Sequence, residues 1–215
     1  MNAKVNYEEL ISQYNNSDSL MYKKLRIVDY YINQHIKNFE GFLDIGMGTG
    51  ELINLEKNKF KYVYGSDIDE ESVNYCKKRF NDDKNIDIIK GDIRDIYSCY
   101  KFEDLNVITC LDVLEHINYS HSIETLNIIY DMLKKDGIFI FSGPGIYEKL
   151  RISLGLSPTH VHSHSSYSWA KLIQDSNFEI ISVESVEFPF LKNDNFLRKK
   201  LHLLGKCCLI VSKRG

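Results

Sequence analysis

The 215-residue chain has little that would place it in a membrane, outside a cell or on a polyanion. No apolar run approaches the length of a bilayer span; Cys207-Cys208-Leu209-Ile210-Val211 is only strand-sized. Met1-Asn2-Ala3-Lys4 leads into polar residues with no apolar signal core, so the expected location is cytoplasmic. Five cysteines, Cys76, Cys99, Cys110, Cys207 and Cys208, form no C-x-x-C pair and read as reduced core thiols. A net charge of −3 gives no general attraction to nucleic acid or anionic lipid, and no basic stripe offsets it. Internal repeats, low-complexity runs and Pro/Gly-rich linkers are also missing. These absences leave one globular domain, residues 1–215, large enough for a full core. Within it, residues 1–40 read as an N-terminal helical cap, and 143–165 as a segment able to fold over a site as a lid.

What is present is alternation. Leu25, Val28, Ile32 and Ile36 recur at helical spacing, predicting an amphipathic helix over about 20–38. Strands are then expected at 42–46, 62–66, 86–90, 106–111, 138–142, 179–186 and 207–212. Between them Asp69 opens a helix with Glu70 and Glu71 in its first turn, where the helix dipole favours acids. Residues 122–135 read as a helix stopped at Gly137, and Ser166 as the cap of a helix carrying Trp169, Leu172 and Ile173. A further helix is expected over 195–204. Strand–helix alternation with short connections predicts an α/β doubly wound, parallel sheet, whose ligands bind beyond the carboxyl ends of the strands.

Those strand ends hold the chemistry. The first runs Phe42-Leu43-Asp44-Ile45-Gly46-Met47-Gly48-Thr49-Gly50, with glycine at every second position, so the backbone can turn sharply and press against a ligand. A dinucleotide fingerprint needs G-x-G-x-x-G. Here the third glycine comes one residue early, and Glu51 stands where the last should be. A carboxylate there repels a pyrophosphate, which argues against a nicotinamide-dependent oxidoreductase. The second strand ends in Gly65-Ser66-Asp67-Ile68, and an acid about 20 residues past the loop suits a pair of ribose hydroxyls. Asp67 would alternatively cap a helix, a task for which Asp69 is better placed. The third ends in Lys90-Gly91-Asp92-Ile93, where Asp92 suits an adenine amino group with Ile93 packed on the ring, or is simply a turn acid. The fourth runs into Asp112-Val113-Leu114-Glu115-His116-Ile117.

This ordered series resembles the class I S-adenosylmethionine-dependent methyltransferases over about residues 40–185, and most of all the ubiquinone-pathway-type small-molecule O-methyltransferases. Met47 and Asp136 are mild departures from the family's pattern. The resemblance implies a Rossmann-like seven-stranded sheet, mostly parallel with an antiparallel last strand, and S-adenosyl-L-methionine as cofactor. It implies cofactor contacts at Asp44, Gly46, Gly48, Gly50, Asp67, Ile68, Asp92, Ile93 and Cys110. The expected activity is methyl transfer to a small-molecule acceptor at a hydroxyl oxygen. The alternatives are a methyltransferase for nucleic acid or protein, or a non-catalytic cofactor-binding partner subunit.

Methyl transfer from a sulfonium gains most from alignment and exclusion of water. A hydroxyl acceptor also needs its proton removed, for which histidine is best poised near neutral pH. His116 and His160 are the candidates; His121, at a helix start, reads as a surface residue. His160, His162 and His164 alternate, so in extended chain they share a side. On a helical turn Asp112, Glu115 and His116 share a face. With His160 or His162 they would suit Mg²⁺, Mn²⁺ or Zn²⁺, while the same segment serves equally to shape the pocket floor and cap the next helix. Tyr7, Tyr14, Tyr22, Tyr147 and Tyr167 suit either a pocket or ordinary packing, and Lys149 and Arg151 either an acidic substrate or a solvated face.

Overall fold

The computed structural model describes residues 12, 14–145, 164–186 and 207–215. Seven strands run through it: β1 (Gly41–Ile45), β2 (Tyr62–Asp67), β3 (Ile86–Lys90), β4 (Leu105–Leu111), β5 (Ile138–Pro144), β6 (Phe178–Val186) and β7 (Cys207–Arg214). They form one sheet in the order β3-β2-β1-β4-β5-β7-β6. Neighbours among the first five are parallel, whereas β7 lies between β5 and β6 and is antiparallel to both. This is the expected mixed, doubly wound architecture. The helices are α1 (Leu20–His35), α2 (Glu51–Glu56), α3 (Glu70–Arg79), α4 (Ile93–Ile96), α5 (Tyr119–Met132) and α6 (Ser166–Asp175), with a 3₁₀ turn at Leu114–His116.

Strand residues alternate between two cores because successive side chains leave opposite faces. Phe42, Val63, Val107 and Val211 pack with Val28 and Ile32 of α1, Ile53 of α2 and Val73 of α3. Leu43, Ile108, Phe139 and Ile210 pack on the other face with Leu126 and Ile129 of α5 and Trp169 and Ile173 of α6. Burial on both faces explains why the central strands read as nearly continuous apolar runs.

Helix ends follow their caps. Ser19 caps α1 by accepting from the Tyr22 amide, and Asp69 caps α3 by accepting from Ser72. Two boundaries differ from expectation. Ser165, not Ser166, caps α6, since its hydroxyl is the one that accepts from the Ser168 amide. Helix α5 begins at Tyr119 and ends at Met132, before Gly137; Leu133 is already extended and Asp136 takes the left-handed turn at φ 62°. The expected helix at 195–204 lies outside the described residues, as do His160, His162, Tyr7, Tyr147, Lys149, Arg151 and most of 143–165. Among the described residues, no helix is long and apolar enough to cross a membrane.

Candidate active site

The carboxyl ends of β1 to β4 open on one cleft of about 470 Å³. The glycine loop forms one wall. Gly46, Gly48 and Gly50 all take left-handed backbone, at φ 73°, 53° and 73°, which glycine adopts freely and other residues adopt at a cost. The amides of Gly46 and Met47 donate to the Ser66 carbonyl at 2.8 and 3.1 Å, so the loop hangs from the end of β2. The Arg79 Nη1 donates to the Thr49 carbonyl and to Glu51 at 2.5 Å. Glu51 is therefore charge-paired, and it opens a helix of only six residues.

Asp67 sits at the centre of this wall. Its Oδ2 accepts from the Gly48 amide and its Oδ1 from the Asp69 amide, each at 2.9 Å. A carboxylate offers about four acceptor positions, so about two remain for a pair of ligand hydroxyls. Asp69, as expected, takes the capping role instead. Ile68 beside it is 70% exposed and lines the cleft, as does the buried Ile93. Asp92 also lines it, yet caps α4 and meets Arg94 three times: from the amide and Nε to Oδ1, both 2.9 Å, and from Nη2 to Oδ2, 2.6 Å. The Arg94 pairing, opposed by partial burial, holds this carboxyl below its usual range.

A second, smaller cavity of about 50 Å³ adjoins the cleft, and Gly46 and Asp112 line both. Asp44 faces it, buried and accepting from the Thr109 hydroxyl at 2.7 Å. Burial raises the Asp44 carboxyl to about 7 against that hydrogen bond, helped by the charge of Asp67. Tyr14 lines the same cavity, its hydroxyl raised to about 12 by burial and by Asp44.

Lys24 completes the cavity, and sequence reasoning passed over it. It is 4% exposed and ion-pairs with Asp112, whose other oxygen accepts from the Ser142 hydroxyl at 2.9 Å. Burial alone would lower the lysine, but Cys207, Asp112 and Glu115 outweigh it and hold the ammonium protonated. The signal was available: Lys24 falls on the same face of α1 as Val28, Tyr31 and Ile32, all buried. Among the described residues lining the two cavities, Lys24 is the one lysine or arginine, against Asp44, Glu51, Asp67, Asp92 and Asp112.

The remaining candidates fall in different places. Cys110 has no exposure; its thiol packs in the core beyond the sheet and is pushed well up by burial, so the side chain lines neither cavity. Asp112, Glu115 and His116 do not share a face: Asp112 stands outside the turn at φ 56°, and Leu114–His116 is 3₁₀ rather than α-helical. Glu115 turns into the core at 2% exposure, while His116 is exposed on the cleft. Among the described residues no group of three histidines, cysteines or acids gathers to hold a metal. Tyr167 is 68% exposed and lines neither cavity, and His164 packs edge-on against Trp169.

Burial and the Asp112 charge raise the Glu115 carboxyl from 4.5 to about 8, and its Oε2 has no hydrogen-bond partner among the described residues. The folded protein then holds a proton that the unfolded chain releases. Stability from this group is full below pH 4.5 and drains away as pH rises toward 8. Glu115→Gln should flatten the decline in unfolding free energy between pH 5 and 8; a variant that declines as steeply as the parent would contradict this protonation.

The family model described as a methyltransferase domain matches residues 20–183. An uncharacterised protein of Methanocaldococcus jannaschii is 31% identical over 151 residues, 69% of this chain and 54% of that one. The chain spans about half the length of the curated relatives it matches. A crystal structure of a SAM-dependent methyltransferase from Archaeoglobus fulgidus aligns with TM-score 0.69 at 18% identity, covering 95% of this chain and 99% of that one. The N-methyltransferase NodS of Bradyrhizobium japonicum, in complex with S-adenosyl-L-homocysteine, aligns with TM-score 0.68 at 12% identity, covering 97% of each. At such identities the structural likeness carries the fold, and the family-model match carries membership. The chain belongs to the methyltransferase-domain family.

Proposed function

We propose that this chain transfers the methyl group of S-adenosylmethionine to a small-molecule acceptor, at a hydroxyl oxygen. The observation that carries the donor reading is the pair of acids at adjacent strand ends. Asp67 keeps about two free acceptor positions and Asp92 about one, on a single cleft beside a cradle of left-handed glycines. That is the acceptor pattern an adenosine needs, two for the ribose diol and one for the amino group. The charge supports it too. An acidic site with one buried lysine suits a sulfonium and disfavours a phosphate.

When bound, S-adenosylmethionine supplies an electrophilic methyl group on sulfur. The protein's own part is alignment: Asp67 and Asp92 fix the nucleoside, and the glycine loop lets the backbone approach closely. NodS has the same fold and is an N-methyltransferase, so the fold leaves the acceptor atom open. The exposed His116 imidazole on the cleft supports oxygen, since a hydroxyl must lose its proton where many other nucleophiles need not. All five cysteines are free, which supports a cytoplasmic setting.

Calorimetry tests the donor. S-adenosylhomocysteine should bind at micromolar strength and NADH should give no heat; the reverse would overturn the reading. Asp67→Ala should weaken S-adenosylhomocysteine by about 1–3 kcal/mol, the worth of hydrogen bonds to a charged group. For the acceptor, incubating cell metabolites with enzyme and donor should reveal a species that gains one methyl on oxygen. A product methylated on nitrogen or carbon would move the acceptor assignment.

A further inference from the structure

We infer that Arg94 is the positioning residue that makes Asp92 a selector for a 6-amino purine. The inference rests on the donor reading above, and its test fails separately from that reading. Asp92 is tied to Arg94 through the amide, Nε and Nη2, at 2.9, 2.9 and 2.6 Å. A side-on guanidinium fork of this kind fixes a carboxylate in both direction and charge. Arg94 is itself held from the opposite side. Its Nη1 lies 3.7 Å from Glu124 Oε2 on α5, the helix that walls the far end of the cleft through Thr125. The carboxylate is therefore clamped between two elements, rather than free to rotate at a strand end.

The clamp has a chemical consequence. Of about four acceptor positions on Asp92, Arg94 uses three, so about one is left. One acceptor suits the single N–H that an exocyclic amino group directs at it. A 6-oxo purine offers an oxygen at that place, which meets a fixed, ionised carboxylate with no proton between them. Without the Arg94 side chain, Asp92 keeps the cap bond from the backbone amide at Oδ1 but loses the fork that holds Oδ2, and it takes up a proton more readily because the largest influence opposing partial burial is gone, leaving that amide and the charge of His121 against it. A carboxylate free to swing no longer aims one acceptor at the 6-position, and a protonated carboxyl donates to a 6-oxo group as readily as it accepts from an amine. Selectivity thus resides in the arginine as much as in the acid.

The test is calorimetric titration with S-adenosylhomocysteine and its 6-oxo analogue, S-inosylhomocysteine. The parent protein should prefer the amino form by at least about tenfold, the worth of one charge-assisted hydrogen bond. Arg94→Leu should reduce that ratio to within about threefold, and Arg94→Lys, which keeps the charge without the fork, should fall between. The leucine variant should also lose S-adenosylhomocysteine affinity at a higher pH than the parent, because its Asp92 protonates sooner. Should the leucine variant not fold, the lysine variant alone decides. An amino-to-oxo ratio equal to the parent's in the folded variants would overturn the role of Arg94. A parent protein that binds neither ligand would overturn the donor reading instead.

Discussion

Lys24→Met should lower the stability of the folded chain by about 3 kcal/mol, the low end of what removing one partner of a buried ion pair costs. Methionine fills nearly the same space on α1, so packing is largely kept and the lost charge dominates. The low end applies because the Asp112 side chain is 31% exposed, whereas that of Lys24 is 5% exposed. Without the ammonium, Asp112 keeps the Ser142 hydroxyl as its side-chain partner among the described residues, and Glu115 loses the favourable charge of Lys24. In a chain of this length the change corresponds to a fall in melting temperature of roughly 6–12 °C. Denaturant titration measures it directly. Adding Asp112→Asn should recover most of the loss, since the orphaned charge is then gone. A single variant within 1 kcal/mol of the parent would mean that the pair holds nothing together.

Gly46→Ala should abolish donor binding and cost about 2–4 kcal/mol of stability, from left-handed strain together with overpacking. A Cβ at position 46 would lie 2.2 Å from Val113 Cγ2, a β-branched side chain with little rotameric freedom, on the segment that follows β4. Relief requires the loop or that segment to move, and both line the cleft. Gly48→Ala is the control. Its φ of 53° carries similar strain, but no atom of the described residues lies within 4 Å of the added methyl. It should cost only about 1–2 kcal/mol and leave S-adenosylhomocysteine binding measurable. Equal losses in the two variants would show that backbone strain, not the contact with Val113, sets the tolerance of the loop.

The parts of this site readable from sequence are those whose meaning is local. Glycines at alternate positions after a buried strand, Asp67 after Gly65-Ser66, and Asp92 after Gly91 each declare themselves within a few residues. The sheet order β3-β2-β1-β4 then sets these strand ends side by side along one edge of a parallel sheet, so residues scattered in sequence fall beside one another. What was hidden depends on distance or on backbone hand. Lys24 meets its partner 88 positions away, and no local pattern names Asp112 as that partner. The i, i+3, i+4 spacing of Asp112, Glu115 and His116 assumes an α-helical turn. The left-handed Asp112 breaks it and sends Glu115 inward while His116 faces out. Cys110 reads as a strand-end residue, but alternation points its thiol to the covered side. Ser165 and Ser166 are equal candidates by type, and only the hydrogen bond to Ser168 separates them.

The placement of β7 bears on how the molecule is built in time. Among the described residues β6 pairs with β7 alone, and β7 is encoded after it, so on the ribosome β6 waits for that partner until residues 207–214 have emerged. The four strand ends that bear the glycine loop, Asp67, Asp92 and Asp112 are all encoded by residue 112. Synthesis therefore delivers every piece of the donor cleft well before the sheet can be sealed. An arrest before residue 207 leaves β6 without β7 beside a site whose own parts are complete, the kind of exposed edge on which nascent chains aggregate.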